Sequence, residues 1–254
     1  MRRVIDVNCD MGEGFGIYSV GRDEELLPWI SSANIACGFH AGDPVVMLKT
    51  VRACLEHGVA IGAHPGLPDL QGFGRRTMKI TADEAYEITL YQLGALAAFI
   101  RAEGGRLRHV KPHGALYHLA ESDLSIAEAI VRAVVRFDET LTVYGLSGGR
   151  LADAAAKRKL PIRHEAFADR AYQFDGSLLP RTEAGSVIGD ASLAASQALS
   201  LARDGIAYTA NQERVHVRAD SLCIHGDGPH AAEFAKAIFN ALTLAGFAIA
   251  AAAG

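Results

Sequence analysis

Short apolar runs alternate with longer segments of mixed polarity along most of this chain. Seven of these runs have the length of a buried strand. They span residues 4–8, 33–37, 59–64, 107–113, 141–147, 162–168 and 222–225. Strands that alternate with helices pair in parallel through right-handed crossovers, so the pattern predicts an α/β fold with a parallel sheet.

The segments between these runs contain recognisable helix starts and stops. Asp43 and Pro44 have the residue types of an N-cap and a first helical position, and their helix is predicted to end near Gly58. Capping-box sequences begin at Thr81 and Ser125. Together with three later segments, these signals predict helices over residues 44–58, 81–104, 125–137, 151–159, 190–203 and 229–245.

An open doubly wound sheet and a closed barrel both fit this alternation, and the positions of the polar residues distinguish them. Polar side chains suited to binding and catalysis lie at or just after the ends of six runs: Asp6, Asn8, Asp10, Asn34, His40, His64, Lys111, His113, Glu165, Asp169, Arg170, His225 and Asp227. In a barrel, the carboxyl ends of all strands face one mouth, whereas an open sheet would spread these groups apart. We therefore predict a TIM-like (β/α) barrel of about seven strands, formed as one domain over residues 1–254.

Composition and charge restrict the classes of function. The chain has 254 residues and a net charge of −4, without a basic run longer than a pair, so no nucleic-acid partner is predicted. The apolar segment 237–254 is interrupted by Asn240 and Thr243, which favours a buried helix over a membrane span. The N-terminal residues reach Asp6 without an apolar signal segment, and the four cysteines lack CxxC spacing. Both features predict a cytoplasmic protein with reduced thiols.

Three polar residues of the first strand form one candidate cluster. Because successive side chains of a strand alternate, Asp6, Asn8 and Asp10 lie on one face. Inside a barrel, three such groups must bind a metal, a substrate or one another. The alternative is a solvated strand edge followed by a turn.

Loops after the second and third strands supply further candidates. His40 lies between glycines and just before a helix N-terminus, where a ligand can approach the backbone closely, while Asp43 is interpreted as the helix cap. Arg75 and Arg76 lie in a loop rich in glycine and proline. Their guanidinium groups can bind carboxylate or phosphate in a bidentate manner, although such pairs are more often plain surface.

Imidazoles follow several strand ends. Lys111 and His113 lie on one face, which is consistent with phosphate binding by Lys111 and with proton transfer or metal ligation by His113, unless the strand has already left the core. His64 and His225 have equivalent positions, and a ring of imidazoles and carboxylates fits a divalent metal. No HExxH sequence supports a zinc site, and no GxxxxGK[ST] loop supports a phosphate site, so the metal and the position of a nucleotide stay open.

Several of these motifs lie in long ordered blocks that resemble one known family. The run DVNCDMGE occupies residues 6–13, and the run VKPHGALY occupies residues 110–117. Further blocks lie at residues 32–44, 61–65, 72–76, 165–172 and 225–227. Over nearly its whole length, the chain is similar to the LamB/YcsF family.

This resemblance implies ATP-dependent opening of the lactam 5-oxo-L-proline to L-glutamate, with ADP and phosphate as the other products. The requirement for ATP has a chemical reason. A lactam amide is a poor electrophile, whereas phosphorylation turns its oxygen into a leaving group that water can displace. The resemblance also implies a distorted barrel related to polysaccharide deacetylases. ATP with Mg²⁺ is the expected cofactor, and two further subunits, of B and C type, are the expected partners.

On this basis, Asp10, His40, His64 and His113 are expected to be catalytic, either by activating water or by binding Mg²⁺ near the lactam. Any protein-bound metal is expected on Asp10, His40 and His64. Expected binding groups for substrate or phosphate are Asn8, Glu13, Asn34, Arg75, Arg76, Lys111, Arg170 and His225. Two other classes remain: a metal-dependent deacetylase or amidohydrolase acting alone, and a non-catalytic substrate-binding subunit.

Overall fold

The parallel strands predicted from the apolar runs form a closed sheet. The computed structural model describes residues 3–224 and 231–251. Its strands in chain order are β1 (Arg3–Met11), β2 (Ser32–Ala36), β3 (Ala60–His64), β4 (Leu107–Val110), β5 (Thr142–Leu146), β6 (Ile162–Phe167), β7 (Ile206–Tyr208), β8 (Arg214–His216), β9 (Ser221–Ile224) and β10 (Phe247–Ile249). Strands β1 to β6 are neighbours in sequence order, and β9 pairs with both β6 and β1. The seven-stranded (β/α) barrel is therefore confirmed, whereas its relation to polysaccharide deacetylases stays a prediction.

Helices connect the strands of the barrel. In chain order the described helices are α1 (Asp23–Leu26), α2 (Pro44–Glu56), α3 (Ala82–Ala102), α4 (Gly114–Ser122), α5 (Leu124–Phe137), α6 (Arg150–Lys157), α7 (Ala191–Asp204) and α8 (Ala231–Leu244). As predicted, the Asp43 carboxylate caps α2, and Thr81 with Glu84 forms the capping box of α3. None of the described helices has both the length and the apolar character that a membrane crossing requires.

The fourth predicted strand is shorter than its apolar run. β4 ends at Val110, rather than at residue 113, and the chain then enters α4, a helix that the pattern did not predict. Pro112 has no N–H to donate to a strand ladder, which explains the early end. His113 consequently takes the N-cap position of α4 instead of a strand position.

The predicted capping box at Ser125 is also wrong. Helix α5 begins one residue earlier, because the carboxylate of Asp123 accepts a hydrogen bond from the Ser125 backbone N–H at 2.8 Å. The antiparallel pair β7–β8 and the short strand β10 were not predicted. The predicted helix start at Pro229 lies outside the described residues.

The first strand separates a polar barrel interior from an apolar layer. Asp6 faces inward and accepts hydrogen bonds from four hydroxyl groups, those of Ser31, Ser32, Tyr144 and Ser221. The alternating residues Val7, Cys9 and Met11 belong to the hydrophobic core. The predicted one-sided arrangement of polar residues on β1 is therefore present, and Asp6 serves to join strands around the barrel.

Candidate active site

Lys111 lies in the mouth of the barrel between two carboxylates. Its Nζ is 2.9 Å from Oδ1 of Asp10 and 2.9 Å from Oε1 of Glu165. It also donates to Sγ of Cys223 at 3.1 Å. The Lys111 side chain is only 4% exposed, and a buried cation is costly unless it is paired in this way.

The environment of Lys111 keeps it charged. Burial by itself lowers the pKa of an ammonium, but the negative charges of Asp10 and Glu165 outweigh burial and raise the pKa of Lys111 well above its usual value. Lys111 is therefore a fixed cation and a poor candidate for a general base. Its predicted contact with phosphate stays a prediction, since two acids already share its charge in this structure.

The amide side chains predicted to bind substrate are bonded to other protein groups. Nδ2 of Asn34 donates to Oδ1 of Asn8 at 2.7 Å and to Oδ1 of Asp10 at 2.8 Å. Nδ2 of Asn8 donates to Oε1 of Glu165 at 3.0 Å. These bonds orient Asp10 and Glu165 around Lys111, so Asn8 and Asn34 support the carboxylates.

His109 belongs to the same network and was missed from the sequence. Its Nε2 lies 2.8 Å from Oδ1 of Asn34, and its ring stacks on Tyr144 with centroids 4.4 Å apart. Gly62 makes room for it, because a Cβ there would overlap the imidazole. The alternation that placed Lys111 and His113 on one face would have identified His109 if it had been extended back by two residues.

The imidazoles of His64 and His113 lie next to each other at the barrel mouth, and one nitrogen of each ring is within hydrogen-bond distance of a backbone carbonyl oxygen. Nδ1 of His64 is 2.7 Å from the carbonyl oxygen of Lys111, and Nε2 of His113 is 2.8 Å from the carbonyl oxygen of Phe73. Their remaining nitrogens, Nε2 of His64 and Nδ1 of His113, face each other at 2.9 Å. Oδ2 of Asp10 lies 3.3 Å from the same Nε2.

Glu13 and His40 close this cluster. Oε1 of Glu13 lies 3.3 Å from Nε2 of His40 and 3.5 Å from Nδ1 of His113. The rings of His40 and His113 are stacked, with centroids 3.7 Å apart. The side chain of His40 is fully buried, and that of Glu13 is 5% exposed.

The buried positions of His40 and His113 favour the neutral form of these two imidazoles. Burial, followed by the nearby His113 and His64, holds the pKa of His40 well below its usual value. Burial, followed by His64, lowers the pKa of His113 to about 3. Neutral imidazoles can accept a proton from water or bind a metal ion.

The loop after β3 packs directly against the cluster. The ring of Phe73 meets the ring of His113 edge to face at 5.3 Å. Gly74 has a φ of +62°, and a Cβ there would lie 2.6 Å from Cβ of His40. A Cβ on Gly66 would overlap the imidazole of His40. Glycine at these two positions is what allows the backbone to approach the imidazoles.

The two adjacent arginines of this loop differ in their contacts. The guanidinium of Arg75 lies 4.9 Å from the centroid of the Phe73 ring, next to the imidazole cluster. Arg76 forms an ion pair with the buried carboxylate of Asp69. Arg75 is therefore the better placed of the two to meet an anion at the mouth.

Two further residues that were predicted to bind substrate or phosphate, Arg170 and His225, are not among the described residues of the imidazole cluster. The guanidinium of Arg170 donates to the carbonyl oxygens of Ser186 and Leu179, which ties down the segment after β6. His225 lies outside the described residues. Tyr117, which was not predicted, donates to Oε2 of Glu165 at 3.0 Å.

The structure brings two of the three predicted metal ligands together with two other side chains. Donor atoms of Glu13, His40, His64 and His113 all lie within 4.8 Å of one another. Asp10 is not a member of this group, although its Oδ2 lies 3.3 Å from Nε2 of His64, and its Oδ1 is paired with Lys111. His40 and His64 were expected as metal ligands, His113 was considered for metal ligation, and Glu13 was expected to bind substrate or phosphate, so the structure groups these expectations differently and the metal itself stays a prediction.

The arrangement suits hydrolytic chemistry on a small polar substrate. Asp10 offers a carboxylate oxygen, 3.3 Å from Nε2 of His64, that can orient and deprotonate water. Lys111 provides a fixed positive charge beside this carboxylate.

Comparison with known proteins gives close relatives over the full length. A lactam utilization protein from Thermus thermophilus is 47% identical, with a TM-score of 0.94 over 98% of this chain and 100% of that chain. A protein from Brevibacillus brevis, named as the A subunit of 5-oxoprolinase, is 52% identical over 249 residues, which is 98% of each chain. One of the same name from Bordetella pertussis is 52% identical over 252 residues, 99% of this chain and 100% of the relative.

The LamB/YcsF family matches residues 5–254, a range that includes every residue of the site described above. The relatives agree with that match: about half of the residues are identical over almost the whole chain, and the barrel superposes closely on a solved structure. The chain belongs to the LamB/YcsF family.

Proposed function

We propose that this protein is one component of an ATP-dependent 5-oxoprolinase, which opens 5-oxo-L-proline to L-glutamate and releases ADP and phosphate. The observation that carries the proposal is the 52% identity, along almost the entire chain, to proteins named as the A subunit of 5-oxoprolinase. The word subunit in those names supports an assembly, and we infer two partner subunits.

The proposed reaction explains why hydrolysis is coupled to ATP. Transfer of the γ-phosphoryl group to the lactam oxygen makes the ring carbon electrophilic. Water then adds to that carbon, the ring C–N bond breaks as the nitrogen takes a proton, and an acyl phosphate remains. A second water releases phosphate and leaves the carboxylate of glutamate.

The site offers groups for the water steps and for anion binding. Oδ2 of Asp10, which lies 3.3 Å from Nε2 of His64, is placed to orient and deprotonate water. Arg75 is exposed beside the cluster and can hold a phosphate or the substrate carboxylate, with Mg²⁺ accompanying ATP. The chain has no GxxxxGK[ST] loop, so ATP binding involves other backbone and side-chain groups or a partner subunit.

The decisive experiment is an assay of glutamate and ADP release from 5-oxo-L-proline with Mg-ATP. The purified chain is assayed alone and then with its two candidate partner subunits. We expect turnover only in the mixture, with equal amounts of glutamate and ADP. Absence of turnover in a mixture of folded subunits would overturn the proposal.

A second candidate function is metal-dependent amide hydrolysis by this chain alone. The observation that favours it is the convergence of one carboxylate and three imidazoles at the barrel mouth. It predicts hydrolysis without ATP and without partner subunits, which the same assay measures. A third outcome, full turnover of the complex with an Asp10→Asn subunit, would indicate a substrate-binding subunit without catalytic groups.

A further inference from the structure

The two facing nitrogens of His64 and His113 pose a problem of proton balance. A neutral imidazole carries one N–H, and a backbone carbonyl can only accept a hydrogen bond. Nδ1 of His64 and Nε2 of His113 each lie within 2.8 Å of a carbonyl oxygen, which accepts an N–H from each ring. Nε2 of His64 and Nδ1 of His113 then face each other across 2.9 Å, and in the neutral form in which imidazole binds a metal, these two nitrogens present lone pairs to each other.

Two opposed lone pairs at this distance repel each other unless a positive charge lies between or beside them. Oε1 of Glu13 increases the negative potential at the same point, since it lies 3.5 Å from Nδ1 of His113. His40 adds a fourth donor, with its Nε2 3.3 Å from the Glu13 carboxylate. Nδ1 of His40 meets no hydrogen-bond partner among the described residues.

The spacing of these four donors fits one small cation. Bonds of about 2.0–2.1 Å in a tetrahedral zinc site place neighbouring ligand atoms roughly 3.3 Å apart. The observed separations of 2.9, 3.3 and 3.5 Å bracket that value. All four donors lie within 4.8 Å of one another, so small side-chain rotations would complete the coordination.

The surroundings also resemble the support that metal-binding imidazoles usually have. Ligating histidines commonly donate their other N–H to a backbone carbonyl, which fixes the ring and its tautomer. His64 and His113 do so through Lys111 and Phe73. The backbone of Gly74 lies against both His40 and His113, so the loop holds these rings in place.

We propose that Glu13, His40, His64 and His113 form a binding site for one divalent transition-metal ion, with Zn²⁺ as the preferred occupant. Three nitrogen donors favour zinc and its neighbours over Mg²⁺ and Ca²⁺, which select oxygen ligands, so this ion is distinct from the Mg²⁺ of ATP. The site goes beyond the proposed function and does not depend on it.

The ligands come from the chain segments at the ends of four successive strands. Glu13 follows β1, His40 follows β2, His64 ends β3 and His113 follows β4. A bound ion would therefore join four neighbouring loops of the barrel mouth. Removal of the metal should lower the thermal stability of the chain as well as any activity that needs this mouth.

The test uses the purified full-length chain without partner subunits. The protein is stripped with a chelator, dialysed against Zn²⁺ or Co²⁺, and analysed for bound metal by elemental analysis. We expect about one ion per chain, a higher melting temperature, and visible d–d absorption of tetrahedral Co²⁺. Binding of no ion, with one proton shared between His64 and His113 in ¹⁵N NMR spectra, would overturn the proposal.

Variants separate this site from adventitious surface binding. We expect Glu13→Gln, which is nearly isosteric, to weaken the affinity for Zn²⁺ by about 10-fold or more, and His64→Ala to abolish the Co²⁺ absorption. His57→Ala, at an exposed histidine after α2, is the matched control and should bind as the parent protein does. Equal binding by all three variants would place the ion elsewhere and refute the site. Because metal content is measured without ATP or 5-oxoproline, failure of the lactamase assay leaves this result unaffected.

Discussion

Lys111 contacts His64 through its main chain and, by way of Asp10, through its side chain. The carbonyl oxygen of Lys111 accepts a hydrogen bond from Nδ1 of His64 at 2.7 Å, and Nζ of Lys111 holds Oδ1 of Asp10 at 2.9 Å. The other carboxylate oxygen of Asp10 lies 3.3 Å from Nε2 of His64. The three residues form a closed ring of contacts, so the orientation of the His64 imidazole depends on the charge of Lys111.

Replacement of Lys111 by methionine tests this dependence. The variant keeps the volume but leaves Asp10 and Glu165 as buried carboxylates without a cation, which should destabilise the fold by about 3–5 kcal/mol. Urea unfolding monitored by circular dichroism measures the loss. Lys157→Met, at an exposed helix position, is the control and should unfold like the parent. An equally small effect of both substitutions would show that the Lys111 ion pairs contribute little.

Asp10→Asn tests the water-activating role in the assembled enzyme. We expect kcat to fall by about 100-fold or more because the amide cannot accept a proton, while the circular dichroism spectrum stays unchanged. Asp83→Asn, at an exposed position of α3, serves as the matched control. Retention of full turnover by Asp10→Asn would contradict the role of Asp10.

Arg75→Ala tests anion binding at the mouth. Loss of a guanidinium that contacts phosphate or carboxylate should raise the KM for ATP or for 5-oxo-L-proline about 10-fold, with little change in melting temperature. Arg76→Ala should act mainly on stability, since Arg76 is paired with Asp69. Arg101→Ala, at an exposed position of α3, controls for loss of surface charge. Unchanged KM values for Arg75→Ala would remove it from the binding site.

Gly74→Ala tests the close approach of the loop to the imidazoles. The added Cβ would lie 2.6 Å from Cβ of His40 and 2.9 Å from Cδ2 of His113, at a φ of +62°. We expect a loss of about 1–3 kcal/mol in the free energy of unfolding, together with lower turnover. Gly94→Ala on α3 has open space around the new Cβ and should instead stabilise the chain by about 0.5–1 kcal/mol. Similar behaviour of the two variants would show that the loop moves away at no cost.

His109 predicts a pH dependence of stability. Burial, followed by the charge of Lys111, lowers the pKa of His109 to about 3, below the value of about 6.5 in an unfolded chain. The unfolded chain therefore binds this proton more strongly. The stability due to neutral His109 is complete above about pH 6.5 and is lost as pH falls toward 3.

The measurement is the free energy of unfolding of chelator-treated protein at several pH values between 7 and 4. His109→Gln should reduce the slope below about pH 6 by roughly 1.4 kcal/mol per pH unit, the contribution of one proton. His216→Gln, at an exposed position of β8, should leave the slope unchanged. If the free energy of unfolding of the parent protein has the same pH slope as that of His109→Gln, His109 is protonated in the folded chain.

Much of the barrel follows from local patterns that the chain carries in its sequence. Asp6, Asn8 and Asp10 share a face because strand side chains alternate, and Asp43 begins α2 because its carboxylate accepts backbone N–H groups. The errors occur where local signals compete. Asp123 precedes Ser125 and caps α5 first, and Pro112 ends β4 before the apolar run ends.

By itself the sequence determined the seven barrel strands, six of the helices that alternate with them and most residues of the barrel mouth, because periodicity and caps act over a few neighbouring residues. Only the tertiary structure decided which atoms meet there. Glu13 joins three imidazoles and Asp10 pairs with Lys111, a residue about a hundred positions away. Such contacts depend on the path of loops without a repeating pattern and on the register between strands, which no local signal encodes.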